Sequence, residues 1–169
     1  MSGQREPSNL GPSSDEVVTL RPMNGDDARR ISGGVRPLHG WAPEFPDFGD
    51  RASVTHWRAT PTSAAPWAGS WLIWLGDVVV GTVGFKEPPR DGFVEVGYGV
   101  VAPVRGRGVA TAALTQLLKM VDGPLEIVAE TSPTNAASAA VLTKAGFRLS
   151  GKRVDESGGE LLTWRRVLL

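Results

Sequence analysis

The order of strand-like and helix-like segments predicts a mixed α/β (α+β) fold in which a mostly antiparallel central sheet is flanked by helices. Three observations carry this expectation. Two β-rich runs, Trp71–Leu75 and Val78–Phe85, are separated by two residues and read as a hairpin. A third run, Phe93–Val101, follows the break Glu87-Pro88-Pro89-Arg90-Asp91-Gly92 and extends the hairpin to a meander. Beyond it the apolar period changes from two to three and four, so helices now alternate with strands.

In chain order, residues 1–16 are mostly Ser, Gly, Pro and charged or amide residues with no apolar run, which predicts a disordered tail ahead of one domain, 17–169, and no signal peptide or membrane span. Val17–Pro22 is a short strand closed by proline, and Asn24 or Asp26 can cap a helix through Ala28 to Ile31. From Gly33 to Asp50 proline and aromatics alternate too irregularly for strand or helix, giving an ordered loop whose aromatics line a pocket or cover the core edge. A short helix over Asp50–Ala59 precedes the meander, whose Gly76-Asp77 turn reverses the favoured Asp-Gly order. Val109, Ala112, Ala113, Leu117 and Met120 then mark an amphipathic helix to about Val121, stopped by Asp122-Gly123-Pro124. A strand over Leu125–Ala129, a helix over Asn135–Ala145 ended by Gly146, a strand over Phe147–Leu149 and a last strand over Glu160–Leu168 complete the chain.

Composition excludes several functions. Lysine plus arginine equal aspartate plus glutamate at 18 each, so no net field draws the chain to nucleic acid or anionic lipid, and any anion site must be local. Without cysteine there are no disulfides, thiolate metal sites or cysteine nucleophiles, and the two isolated histidines make no metal cluster. The expected setting is the cytoplasm, without a metal.

The segment with chemical content is Arg105-Gly106-Arg107-Gly108-Val109-Ala110, placed where a strand ends and a helix begins. The first turn of a helix leaves backbone N–H groups without intrahelical partners, and with the positive dipole end they form an anion site. Glycines let a phosphate reach those amides, and two arginines add charge-assisted donors. A nucleotide P-loop needs Lys then Ser or Thr after the second glycine, where Val109-Ala110 stand, and a dinucleotide fingerprint follows the first strand of a parallel βαβ unit, so neither pattern is met.

The segment resembles motif A of the GNAT superfamily of acyl-CoA-dependent N-acetyltransferases, matched by Arg105, Gly108 and Ala110. Asn135-Ala136-Ala137-Ser138 with Lys144-Ala145-Gly146-Phe147 resembles the branch that includes the RimJ and RimL type ribosomal-protein acetyltransferases. The resemblance implies a bulged fourth strand splayed from the fifth, acetyl-CoA as co-substrate, Val100, Val101, Ala102 and Val104 along the pantetheine, and Arg105, Gly106, Arg107, Gly108, Val109 and Ala110 around the pyrophosphate. Gly97, Gly99 and Pro103 agree with a disrupted strand there.

N-acetylation consumes a neutral amine, so a base or a water chain is needed to remove its proton. Strand alternation puts Glu95, Gly97 and Gly99 on one face, with room before the carboxylate, making Glu95 the candidate; a solvated strand-face glutamate has the same pattern. Asn135 and Ser138 lie one turn apart, Asn135 as a cofactor contact or only an N-cap. Many relatives carry a tyrosine acid where this chain has Leu142, so Ser138 takes that place, and Tyr98, the chain's only tyrosine, is expected on the face opposite Glu95. The function implied is acetyl transfer to a primary amine by direct attack in a ternary complex, the acceptor being a small-molecule amine or a protein N-terminus and the protein alone or in a homodimer. A non-catalytic CoA-binding module and an enzyme using a longer acyl-CoA are the alternatives. Acidic Glu44, Asp47 and Asp50 could attract a cationic acceptor.

Overall fold

A computed structural model describes residues 17–35 and 40–169, so the expected tail lies outside the described residues. The elements are β1 (Val18–Pro22), α1 (Gly25–Gly33), α2 (Phe48–Ser53), β2 (Ser70–Leu75), β3 (Val78–Phe85), β4 (Phe93–Val100), α3 (Val109–Leu118), β5 (Leu125–Thr131), α4 (Ala136–Lys144), β6 (Arg148–Val154) and β7 (Glu160–Leu168). They build a seven-stranded sheet in the order β1-β2-β3-β4-β5-β7-β6, with β4 and β5 its parallel pair. Among the described residues no helix is long and apolar enough to cross a membrane.

The predicted meander forms. Gly76 takes a positive φ of 57° at the first central position of the β2–β3 turn, the pattern of a II′ turn, which accounts for the Gly-Asp order. Asn24 caps α1 in a reciprocal box with Asp27. Leu114, Leu117, Ile127 and Leu142 are fully buried between α3, α4 and the sheet, each contributing about 1.5–3 kcal/mol by burial. Of the loop aromatics, Phe45 is buried and meets Trp41 edge to face at 4.9 Å, so these two cover the core edge.

Three elements end three or more residues from expectation. α2 starts at Phe48, because Asp47 caps it in a reciprocal box with Asp50, and gives way at Val54 to a 3-10 turn. α3 ends at Leu118, its last carbonyls taken by the amides of Met120 and Val121. β6 runs to Val154 instead of Leu149: it is an exposed edge strand with no apolar alternation, carried by its backbone ladder to β7 and marked as an edge by Arg148, Lys152 and Arg153.

The feature that opens the sheet is at β4. Its register with β3 runs without a shift from Val96 to Val100, whereas pairing with β5 is confined to Phe93–Glu95. What the sequence reads as a bulge takes the form of this splay, followed by a 3-10 turn over Ala102–Val104.

Candidate active site

The larger of the two cavities that border β4, about 390 Å³, lies between the open edge of β4, the start of α3 and one face of α4. Of the residues expected to surround a cofactor, Val100, Val104, Arg105, Gly106, Gly108, Val109, Ala110 and Asn135 line it, with Ser138. Gly106 and Gly108 have φ of 73° and 80°, and nothing stands within 4 Å of where a Cβ would be at either. Gly108 is the N-cap of α3 and offers no side-chain cap, so the first amides of the helix face this space without one. The residues fit a diphosphate.

Three expected cofactor contacts fall elsewhere. Val101 is buried and gives its amide to Val80 O at 2.8 Å; Ala102 sits in the 3-10 turn with its carbonyl taken by Arg105 N; Arg107 lines a separate depression beside Val18, Leu75 and Gln116. Strand parity gives the reason. Glu95 O and Val101 N bond to β3, while Gly92 O bonds to Glu126 at the start of β5, so the even residues Val96, Tyr98 and Val100 turn their backbone groups to the β5 side. Past Glu95 β5 has left, and Val100 O accepts from Arg105 Nε at 3.2 Å. The main-chain groups of Val96, Tyr98 and Val100 therefore stand at the open edge, whereas the resemblance points to Val100–Val104.

Asn135 Oδ1 accepts from Ser138 N at 3.0 Å, so its side chain is the N-cap of α4. Ser138 O accepts from Tyr98 Oη at 3.2 Å. Tyr98 does lie opposite Glu95, but that face holds α4 and the cavity, which brings the phenol into the site. Burial pushes its pKa up to about 12, partly offset by the bond to Ser138, so it stays protonated. Leu142 is buried in the core. Sequence reasoning missed Tyr98, Gly49, Thr111 and Lys144 as lining; Lys144 stood in a quoted motif, whereas Gly49 carried no signal.

A smaller cavity, about 210 Å³, opens on the other face of β4, lined by Ala52 and Ser53 of α2, Ser70, Thr82, Gly84 and Lys86 of β2, β3 and the strand end, and Gly97. Gly49 and Tyr98 line both cavities. Glu95 lines neither; it is ion-paired to Lys86 at the rim of the smaller. Asp50 is 2% exposed and accepts from Thr82 Oγ1 at 2.9 Å and Asp47 N at 3.0 Å. Desolvation by burial raises its pKa to about 6, with the Asp47 carboxylate adding to the rise and both donors opposing it. Asp47 and Asp50 thus cap α2, Asp50 buried and Asp47 exposed at the larger cavity. No group of three or more metal-ligating side chains occurs among the described residues.

The model of the acetyltransferase (GNAT) domain matches residues 18–148. No curated protein matches. Among solved structures, Mycobacterium smegmatis RimJ in complex with CoA-disulfide is 25% identical over 90% of this chain and 83% of that one, with a TM-score of 0.59. RimL, a ribosomal L7/L12 alpha-N-protein acetyltransferase in complex with coenzyme A, is 19% identical over 59% of this chain, with a TM-score of 0.53, and only 62% of its own length is spanned. Aminoglycoside acetyltransferase AAC(6')-Ib in complex with coenzyme A and kanamycin is 18% identical over 89% and 94%, with a TM-score of 0.58.

Proposed function

The chain belongs to the GNAT acetyltransferase family, and from that membership we propose that it transfers an acetyl group from acetyl-CoA to a primary amine, in the cytoplasm, by direct attack in a ternary complex. The observation that carries this reading is the meeting of the two cavities at Gly49 and Tyr98. CoA in the larger and an amine in the smaller would face each other across β4.

Acetyl-CoA brings an activated thioester; the chain's own part is to bind, orient and donate. The amides that open α3, with Arg105, Gly106, Gly108, Val109 and Ala110, hold the diphosphate through backbone donors and one cation. Val96, Tyr98 and Val100 bond the pantetheine arm along the open strand edge. Asn135 fixes the start of α4 and so the placement of Ser138. Tyr98 Oη and Ser138 Oγ are the hydroxyl donors available to the departing sulfur, and the protonated phenol suits that task. Glu95, held by Lys86 at the rim, anchors the incoming ammonium.

The lining of the smaller cavity is compact and, apart from Lys86, uncharged, which supports an amine with a small neutral body over a polycation. A screen of thiol release from acetyl-CoA over peptide N-termini, amino acids, polyamines and aminoglycosides tests both points. Release with a compact amine is expected; tight CoA binding without release for any acceptor would favour a binding module, a reading that the buried Leu142 and the engaged Glu95 also support. Acyl-CoAs of increasing chain length decide the acyl preference.

A further inference from the structure

One buried ionisable group has no part in the account above. Asp50 stands on α2 directly behind the smaller cavity, with Thr82 between its carboxylate and that space. Thr82 pairs across the ladder with Gly99, on the face that Gly97 and Glu95 share, so it stands beside the stretch of β4 that β5 has left. Glu95, the ionisable group of β4 on this face, is engaged by the Lys86 ammonium. Asp50 is not paired with a cation among its described partners: it takes the Thr82 hydroxyl and the Asp47 amide.

We propose that Thr82 and Asp50 are the route by which the acceptor ammonium loses its first proton. Thr82 Oγ1 receives the proton from the nitrogen as its own passes to Asp50 Oδ1, leaving a neutral amine in the smaller cavity and a carboxylic acid behind it. The balance then closes: a hydroxyl donor protonates the departing CoA thiolate and is restored by the nitrogen's second proton, and Asp50 returns the first to solvent. Thr82 is the group that touches the acceptor, and Asp50 acts through it. This assignment rests on the acetyl-transfer reading.

The electrostatic surroundings fit. The neighbouring charge that acts on Asp50 is the Asp47 carboxylate, which favours the protonated acid. From β3 comes a neutral hydroxyl and, at the strand end, Lys86, committed to Glu95. From α1, Arg29 and Arg30 are committed to Asp26, and Arg51 of α2 lies against Gly34. With a pKa about 6, Asp50 is ionised at neutral pH yet can hold a proton transiently, the condition for a base working near pH 7.

The experiment is the pH dependence of thiol release, using the best acceptor of the panel above, in wild type, Thr82→Val, Thr82→Ser and Asp50→Asn, with CoA affinity measured on each. In wild type kcat/KM should fall below about pH 6. Thr82→Val should lower kcat by roughly 100-fold with CoA affinity unchanged, and Thr82→Ser, which keeps the hydroxyl, should restore most of it. Asp50→Asn should lose both rate and the acidic limb; if it fails to fold, the two threonine variants decide. Wild-type kcat with an unmoved limb in Thr82→Val, or Thr82→Ser as slow as Thr82→Val, would overturn the relay alone. A wild type that binds CoA but releases no thiol with any acceptor overturns the acetyl-transfer reading beneath it.

Discussion

The larger cavity takes in the main-chain donors that open α3 and the free edge of β4, the smaller the side chains of Ser70, Thr82 and Lys86. Around the first stand the opening amides of α3, two glycines with positive φ and the unpaired edge of β4. Around the second stand Ser70, Thr82 and Lys86, with Asp50 behind them. A main-chain site tolerates many side chains but not a Cβ in the wrong place; a side-chain site is sensitive to single functional groups. The difference teaches that one half of the site is defined by shape and the other by chemistry, and each can be broken without the other.

The largest effect expected is at Gly108. Its φ of 80° strains any replacement, and a glutamate there puts an anion where the diphosphate would sit, so Gly108→Glu should weaken CoA binding by more than roughly 100-fold, read by calorimetry on a protein whose circular dichroism is unchanged. Next is Glu95→Gln, which leaves the main chain intact: kcat/KM for the acceptor should drop by about 10-fold, with CoA affinity within about 2-fold. Equal loss of both would erase the distinction between the cavities.

A smaller effect concerns stability. The folded state binds the Asp50 proton more tightly than the unfolded chain does, so this group's contribution is complete below the ordinary aspartate range, near pH 4, and is lost as pH rises through about 6. The melting temperature of wild type relative to Asp50→Asn should therefore fall between pH 4 and pH 7. A difference that stays flat or rises would contradict a carboxylate whose burial outweighs its two hydrogen-bond donors.

The same contrast explains what could be read from residues alone. The main-chain half was open to sequence because glycine spacing and a strand-to-helix junction are local: Arg105 to Ala110 needs no distant partner. The stretch of β4 with an open edge is not local in this way, since it depends on where β5 stops pairing with β4, at Val128, far along the chain. The side-chain half joins α2, β2, β3 and β4, so neither the Asp50–Thr82 bond, 32 residues apart, nor the Lys86–Glu95 pair has a spacing signature. Strand alternation puts Tyr98 opposite Glu95, but only the position of α4 brings that face to the larger cavity. β6 was cut short because its polar residues carry no period, and the ladder with β7 supplies what pattern does not.

The central claim is that two separate cavities meet across β4, one for CoA and one for the acceptor. Gly97 offers the direct test, because a Cβ there meets nothing closer than Lys86 Cε at 4.0 Å, so Gly97→Leu fills the smaller cavity without a clash at Cβ. The measurement is CoA affinity together with acceptor kcat/KM on this variant: the account predicts CoA binding within about 2-fold of wild type and acceptor kcat/KM reduced by at least roughly 10-fold. Loss of CoA binding with acceptor kinetics preserved would contradict it.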